Sequence, residues 1–183
     1  MAVALLMTLC ARPAPARAQA TDHVEIGALV GALDLRESVG EKPLTVGLRG
    51  GYRFNRAIGI EGEWIKCPGN GSGNFEQVVI LGGVKAGPHF GPLGVLGRFR
   101  VGLLHLSSSG FVAFNGRPRT EPAVDVGVTV ELRTGRHVAI RIDGGRTIVP
   151  FGSVPIKGPL PPYAKRLGTT VNPQGAFGVQ IGF

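Results

Sequence analysis

Eight stretches of this chain alternate strictly between apolar residues on one side and charged residues and glycine on the other. In "VDVGVTVEL", Val124, Val126, Val128, Val130 and Leu132 share one face, and Asp125, Gly127, Thr129 and Glu131 share the other. A period of two is the signature of a strand between two unlike surroundings. The stretches cover residues 22–33, 44–54, 57–66, 76–86, 93–106, 122–132, 137–148 and 173–183. Their apolar face continues through Val24, Ile26, Val30, Val46, Leu48, Ile58, Ile60 and Ile142. The opposite face holds Glu25, Arg49, Arg53, Glu61, Glu63, Lys85, Arg98, Arg100, Asp125, Glu131, Arg141 and Asp143, interleaved with glycines. Glycine weakens a strand and has no purpose on a face turned to water. Inside a closed eight-stranded barrel there is room only for side chains, and each glycine makes space for a neighbouring Arg or Glu. The polar face is therefore expected inside and the apolar face outside.

The connections support closure. Short links ("NR", "GPHFGP", "RTGR") alternate with long ones rich in Gly, Pro and Ser ("CPGNGSGNF", "SSSGFVAFNGRPRTEP", "PFGSVPIKGPLPPYAKRLGTTVN"). All tight turns then fall at one end and all long loops at the other. An even number of strands with short periplasmic turns and long external loops predicts an all-β fold, an eight-stranded antiparallel up-and-down transmembrane β-barrel in a bacterial outer membrane. A soluble eight-stranded ligand-binding barrel would share the meander but turn the apolar face inward. No apolar run after the N-terminal segment is long enough for a membrane-spanning helix.

The N-terminus, "MAVALLMTLC ARPAPARAQA", joins an apolar run to small residues and ends in Ala18-Gln19-Ala20. This predicts a signal peptide over 1–20 and a barrel domain over 21–183. Cleavage would remove Cys10 and leave Cys67 unpaired, and would remove Arg12 and Arg17 from the 20 Lys+Arg while leaving all 12 Asp+Glu. The last strand, "GAFGVQIGF", carries Phe177, Val179, Ile181 and Phe183 on its apolar face.

That ending resembles the C-terminal signal by which bacterial outer-membrane barrels are recognised by their assembly machinery. Residues 81–107, "LGGVKAGPHFGPLGVLGRFRVGLLHLS", are similar to the fourth and fifth strands of the outer membrane protein β-barrel domain family, the opacity and OmpA-like barrels. The resemblance implies fold and location more firmly than role. The expected partners are membrane lipid, lipopolysaccharide and the assembly machinery. No nucleic-acid partner is expected, and the sequence does not specify a ligand of the external loops.

The six cations and six anions of the polar face balance, which predicts ion pairs filling the lumen. A channel favours a surplus of one sign. The remaining positive charge is expected in the loops, where Arg117, Arg119, Lys157, Lys165 and Arg166 stand against Glu121. GxxxxGK, HExxH and CxxC are absent, and His23, His89 and His137 form no ligand-like group. No catalytic, cofactor-binding or metal-binding residue is assigned. The leading expectation is a structural or surface-interaction barrel; a narrow pore is one alternative. The other is a membrane enzyme, because "HLS" at 105–107 resembles the His-x-Ser motif of outer-membrane lipid A deacylases. There His105 and Ser107 would act on lipid, with Glu121 or Asp125 to orient the histidine, but Ser108 stands where that family has Asn.

Overall fold

The structure, a computed structural model, describes residues 23–33, 44–67, 77–107, 118–156 and 163–183. The predicted signal peptide lies outside them. Eight long strands run in sequence: β1 (Val24–Leu33), β2 (Leu44–Arg53), β3 (Ile58–Cys67), β4 (Gln77–Ala86), β5 (Leu93–Leu106), β6 (Arg119–Arg133), β7 (Val138–Ile156) and β8 (Tyr163–Gly182). A two-residue strand, His89–Phe90, pairs with the start of β5 inside the turn before it. Each strand is antiparallel to its sequence neighbours, and β1 pairs with β8 to close the ring. A walk along directly opposed residues leaves Ile181, passes Ile26, Gly50, Gly62, Gly82, Val101, Val124 and Ile148, and re-enters β8 at Val171, ten residues from its start. That stagger tilts the strands and leaves no open edge across the body of the barrel.

The alternation read from the sequence is obeyed. Leu48, Ile60, Ile80, Val101, Val128, Ile142 and Val179 are exposed on the outer wall, while all twelve predicted lumen charges are buried. This is the reverse of a soluble barrel. The strands pair with their neighbours all the way round the ring, which is how a sheet satisfies its backbone in hydrocarbon. Tyr52, Phe54, Phe90 and Phe183 are exposed around the tight-turn end, where Tyr52 stacks on His23 and meets Phe54 edge to face. Such a girdle marks a membrane interface. Two cations share the outward face, Lys66 and Arg146. Lys66 sits at the long-loop end of β3, where a long side chain reaches the interface, whereas Arg146 lies opposite Val126, at the middle of β6.

The sequence reading placed the seventh and eighth strands at 137–148 and 173–183. Both run further, and their hairpin continues past Ile148 as a two-stranded ribbon down to the Ile156–Tyr163 pair. The prolines that suggested a loop are tolerated because each sits where one neighbour is missing. Pro150 and Pro155 pair with β8 beyond the last β6–β7 partner, Pro173 pairs with β7 just past the end of the β1–β8 ladder, and Pro122 pairs with β5 below the start of the β6–β7 ladder. A proline without a donor costs nothing on such an edge.

Candidate functional site

The interior has two levels, each set by the residues that alternate inward. Toward the tight-turn end and through the middle lies one connected ion-pair network. Glu25 accepts from Arg53 and, at 2.5 Å, from Lys85 Nζ. Glu131 accepts from Arg53 at 2.7 Å and Lys85 at 3.1 Å, and His89 Nε2 lies 2.9 Å from Arg53 Nη1. Arg141 bridges to the next layer: it donates to both oxygens of Glu61, at 2.8 and 3.1 Å, to Asp143 at 3.0 Å and to Thr129 Oγ1 at 3.0 Å. Above it, Arg100 Nη1 stands 2.7 Å from Glu63, its Nη2 2.8 Å from Asp125, and its Nη1 3.5 Å from Glu61. Arg49 donates to Glu63 and, at 2.7 Å, to Asp143. Arg98 joins Asp125 at 3.0 Å and Asp143 at 2.6 Å. Several of these pairs are direct cross-strand neighbours, among them Arg49 with Glu63, Arg100 with Asp125 and Arg141 with Glu131.

Glycine makes room for this network where Arg98 lies flat against the wall. A Cβ on Gly127 would stand 3.1 Å from Arg98 Nε, and one on Gly145 would stand 3.1 Å from Arg98 Nη2 and 2.6 Å from a backbone carbonyl. The two glycines face each other across β6 and β7.

Nearer the long-loop end many of the inward positions turn apolar, beside buried Thr45, Gln77, Thr147 and Asn172. Leu29, Leu33, Ile65, Val79, Leu81, Leu104, Leu106, Ala123, Val149 and Phe151 form one buried cluster. The sequence reading missed this plug. Its signal was parity: Leu29 and Leu33 keep step with Glu25, and Leu104 and Leu106 with Arg98 and Arg100. Val149 and Phe151 lay beyond the expected end of β7. The cluster lies above the charges in the lumen. Removed from water, the charges hold together through complementary partners.

Two rim assignments need correction. Arg119 and Glu121 were counted among loop charges facing the exterior. Both belong to β6 and pair with each other at the mouth, where Arg119 Nη2 also donates to the Phe151 carbonyl at 2.5 Å. Arg117 and Lys157 lie outside the described residues; Lys165 and Arg166 are on the β8 arm of the ribbon.

The enzyme alternative can be examined atom by atom. His105 is on the outer wall, as expected, but its Nδ1 lies 2.9 Å from Thr120 Oγ1. Glu121 is buried on the inner side opposite Leu104, and Asp125 is engaged in the lumen by Arg98 and Arg100. The wall of the barrel separates both acids from His105. The structure thus brings neither candidate acid to His105.

No protein-family model and no curated relative matches the chain. Solved structures do match over nearly their full length. They include Neisserial surface protein A, at 18% identity with a TM-score of 0.56, covering 88% of this chain and 96% of that one. The outer membrane protein OprH of Pseudomonas aeruginosa matches at 18% identity and a TM-score of 0.56, covering 88% and 99%. OprG of the same organism matches at 12% identity and 0.55, covering 90% and 97%. At these identities the likeness is one of fold. Together with the outward apolar belt and the buried charges, it shows that the chain has the fold of a small eight-stranded antiparallel β-barrel, the architecture shared by these outer membrane proteins.

Proposed function

We propose that this barrel is a non-conducting, non-catalytic scaffold whose role is carried by its surfaces. The observation that supports this reading best is the doubly closed lumen: the ion-pair network fills one part and the apolar cluster the other. Purified protein in planar bilayers should give no reproducible single-channel steps. Stable steps from the wild type would overturn the reading.

Lipopolysaccharide is the partner the outer end fits. The long connections and the ribbon carry Arg117, Lys157, Lys165 and Arg166 in the sequence, a cationic set that suits its phosphates, for which arginine has the geometry. The final strand, whose Phe177, Val179, Ile181 and Phe183 all face outward, serves as the assembly signal. Deleting Phe183 should lower the amount of barrel reaching the outer membrane in cells, yet leave refolding in detergent largely intact. A parallel loss in both would show that the residue acts through stability alone.

What supports a non-catalytic outer wall is the placement of the acids. A serine nucleophile needs a base within reach and a third group to orient it, and His105 has Thr120 as its neighbour rather than a carboxylate. Expression of the protein should leave the mass of lipid A unchanged, and Ser107→Ala should make no difference. Loss of an acyl chain that Ser107→Ala abolishes would make this an enzyme.

A further inference from the structure

Among the described residues, the tight-turn end carries an unbalanced set of charges. Arg56 and Arg136 are exposed and Arg133 is half-buried, and none has an ion-pair partner among the described residues. Every described Asp and Glu side chain is buried in the barrel. At the same end the His23 and Val24 amides donate to the Phe183 oxygen.

Two of these arginines lie over a hollow. Arg133, Arg136 and His137 line its sides, and Glu25 and Gln180 line its floor. Gln180 is only 5% exposed, and its Oε1 is buried without a hydrogen-bond partner. The enclosed part holds about one water-sized group. The carboxylate of Glu25 beside it is also an acceptor. The floor therefore asks for a small donor, and the rim asks for an anion. A simple phosphodiester, which has no P–OH to donate at neutral pH, supplies the second and not the first. A phosphodiester that ends in a hydroxyl supplies both. Arg133 and Arg136 flank a tight turn at the end of the barrel that carries the exposed Tyr52, Phe54, Phe90 and Phe183, the aromatic belt that marks where acyl chains give way to headgroups. Short turns of this fold face the periplasm.

We propose that this hollow binds the headgroup of an anionic phospholipid of the periplasmic leaflet, of the phosphatidylglycerol type. Its phosphate is held between Arg133 and Arg136, and a glycerol hydroxyl donates to Gln180 Oε1. This site is independent of the outer rim and of its partner. The arginines bind by charge and by bidentate hydrogen bonds, and the glutamine selects the hydroxyl-bearing headgroup.

The test is a titration of the full barrel in neutral detergent with dihexanoyl-phosphatidylglycerol, followed through the side-chain amide resonance of Gln180. Saturable shifts are expected. Dihexanoyl-phosphatidylcholine, equal in chain length but without the hydroxyl or the net charge, should produce none. The double variant Arg133→Gln/Arg136→Gln should weaken binding about thirtyfold, given the usual attraction of an arginine to an anionic membrane surface. Arg56→Gln, on another turn, should leave binding unchanged. Equal responses to the two lipids, or an equal loss from Arg56→Gln, would reduce the site to diffuse attraction and overturn the proposal. A shift of the same size with glycerol 3-phosphate would show a soluble anion site and overturn the membrane assignment.

Discussion

Arg141→Ala should lower the stability of the folded barrel by about 3 to 5 kcal/mol, the usual cost of removing one partner from a buried ionic network. No part of the Arg141 side chain reaches solvent, and it joins Glu61, Glu131, Asp143 and Thr129 from its position on β7. Without it, Glu61 keeps Arg100 at 3.5 Å and Lys85 at 4.0 Å, the two longest ion pairs it makes. A carboxylate held that loosely away from water is left under-compensated. Arg141→Lys should recover only part of the loss, since an ammonium cannot span both oxygens of Glu61 and also reach Thr129. The measurement is the urea midpoint in lipid vesicles, with Arg56→Ala as an exposed reference expected within about 0.5 kcal/mol of wild type. An unchanged midpoint for Arg141→Ala would place that residue in water and dissolve the network account.

Val128→Arg should cost about 2 to 4 kcal/mol for a different reason. Val128 faces outward in the middle of β6, flanked by Gly97 and Gly144 on the adjoining strands. An arginine there must thin the bilayer or stretch across it. Leu132→Arg, on the same face but next to the turn, should cost about 1 kcal/mol or less, because its side chain reaches the interface. The depth dependence is the informative part. Equal, small effects at both positions would mean that the outer wall faces water.

Much of this architecture is legible in the chain because a period of two is unambiguous where the two sides of a wall differ so strongly. Arg98, Arg100 and Asp125 could be assigned inward from parity alone, and the structure joins all three. Parity gives the side of the wall but not the height along it. The change from charged to apolar inward residues, between Glu25 and Leu29 on β1 or between Arg100 and Leu104 on β5, therefore passed as strand texture rather than as a plug. The ribbon was hidden for a related reason. Pro150, Pro155 and Pro173 argue against a central strand, and only the register shows that each has an empty side. The rim pair Arg119 and Glu121 was legible as charge but not as contact, since sequence cannot say whether β6 begins before or after them. The Gln180 hollow had no local signal. Its parts come from β1, β6, β7 and β8 and meet only when the ring closes.

The central claim, a closed barrel whose apolar wall faces lipid, can be tested by the single tryptophan. Trp64 is 40% exposed on the outer wall, between Leu48 and Ile80 on the adjoining strands. In vesicles its fluorescence should be quenched strongly by phospholipids brominated along the acyl chain and hardly at all by acrylamide in the surrounding water. Strong acrylamide quenching with no effect of brominated lipid would put Trp64 in water and contradict the membrane-spanning account.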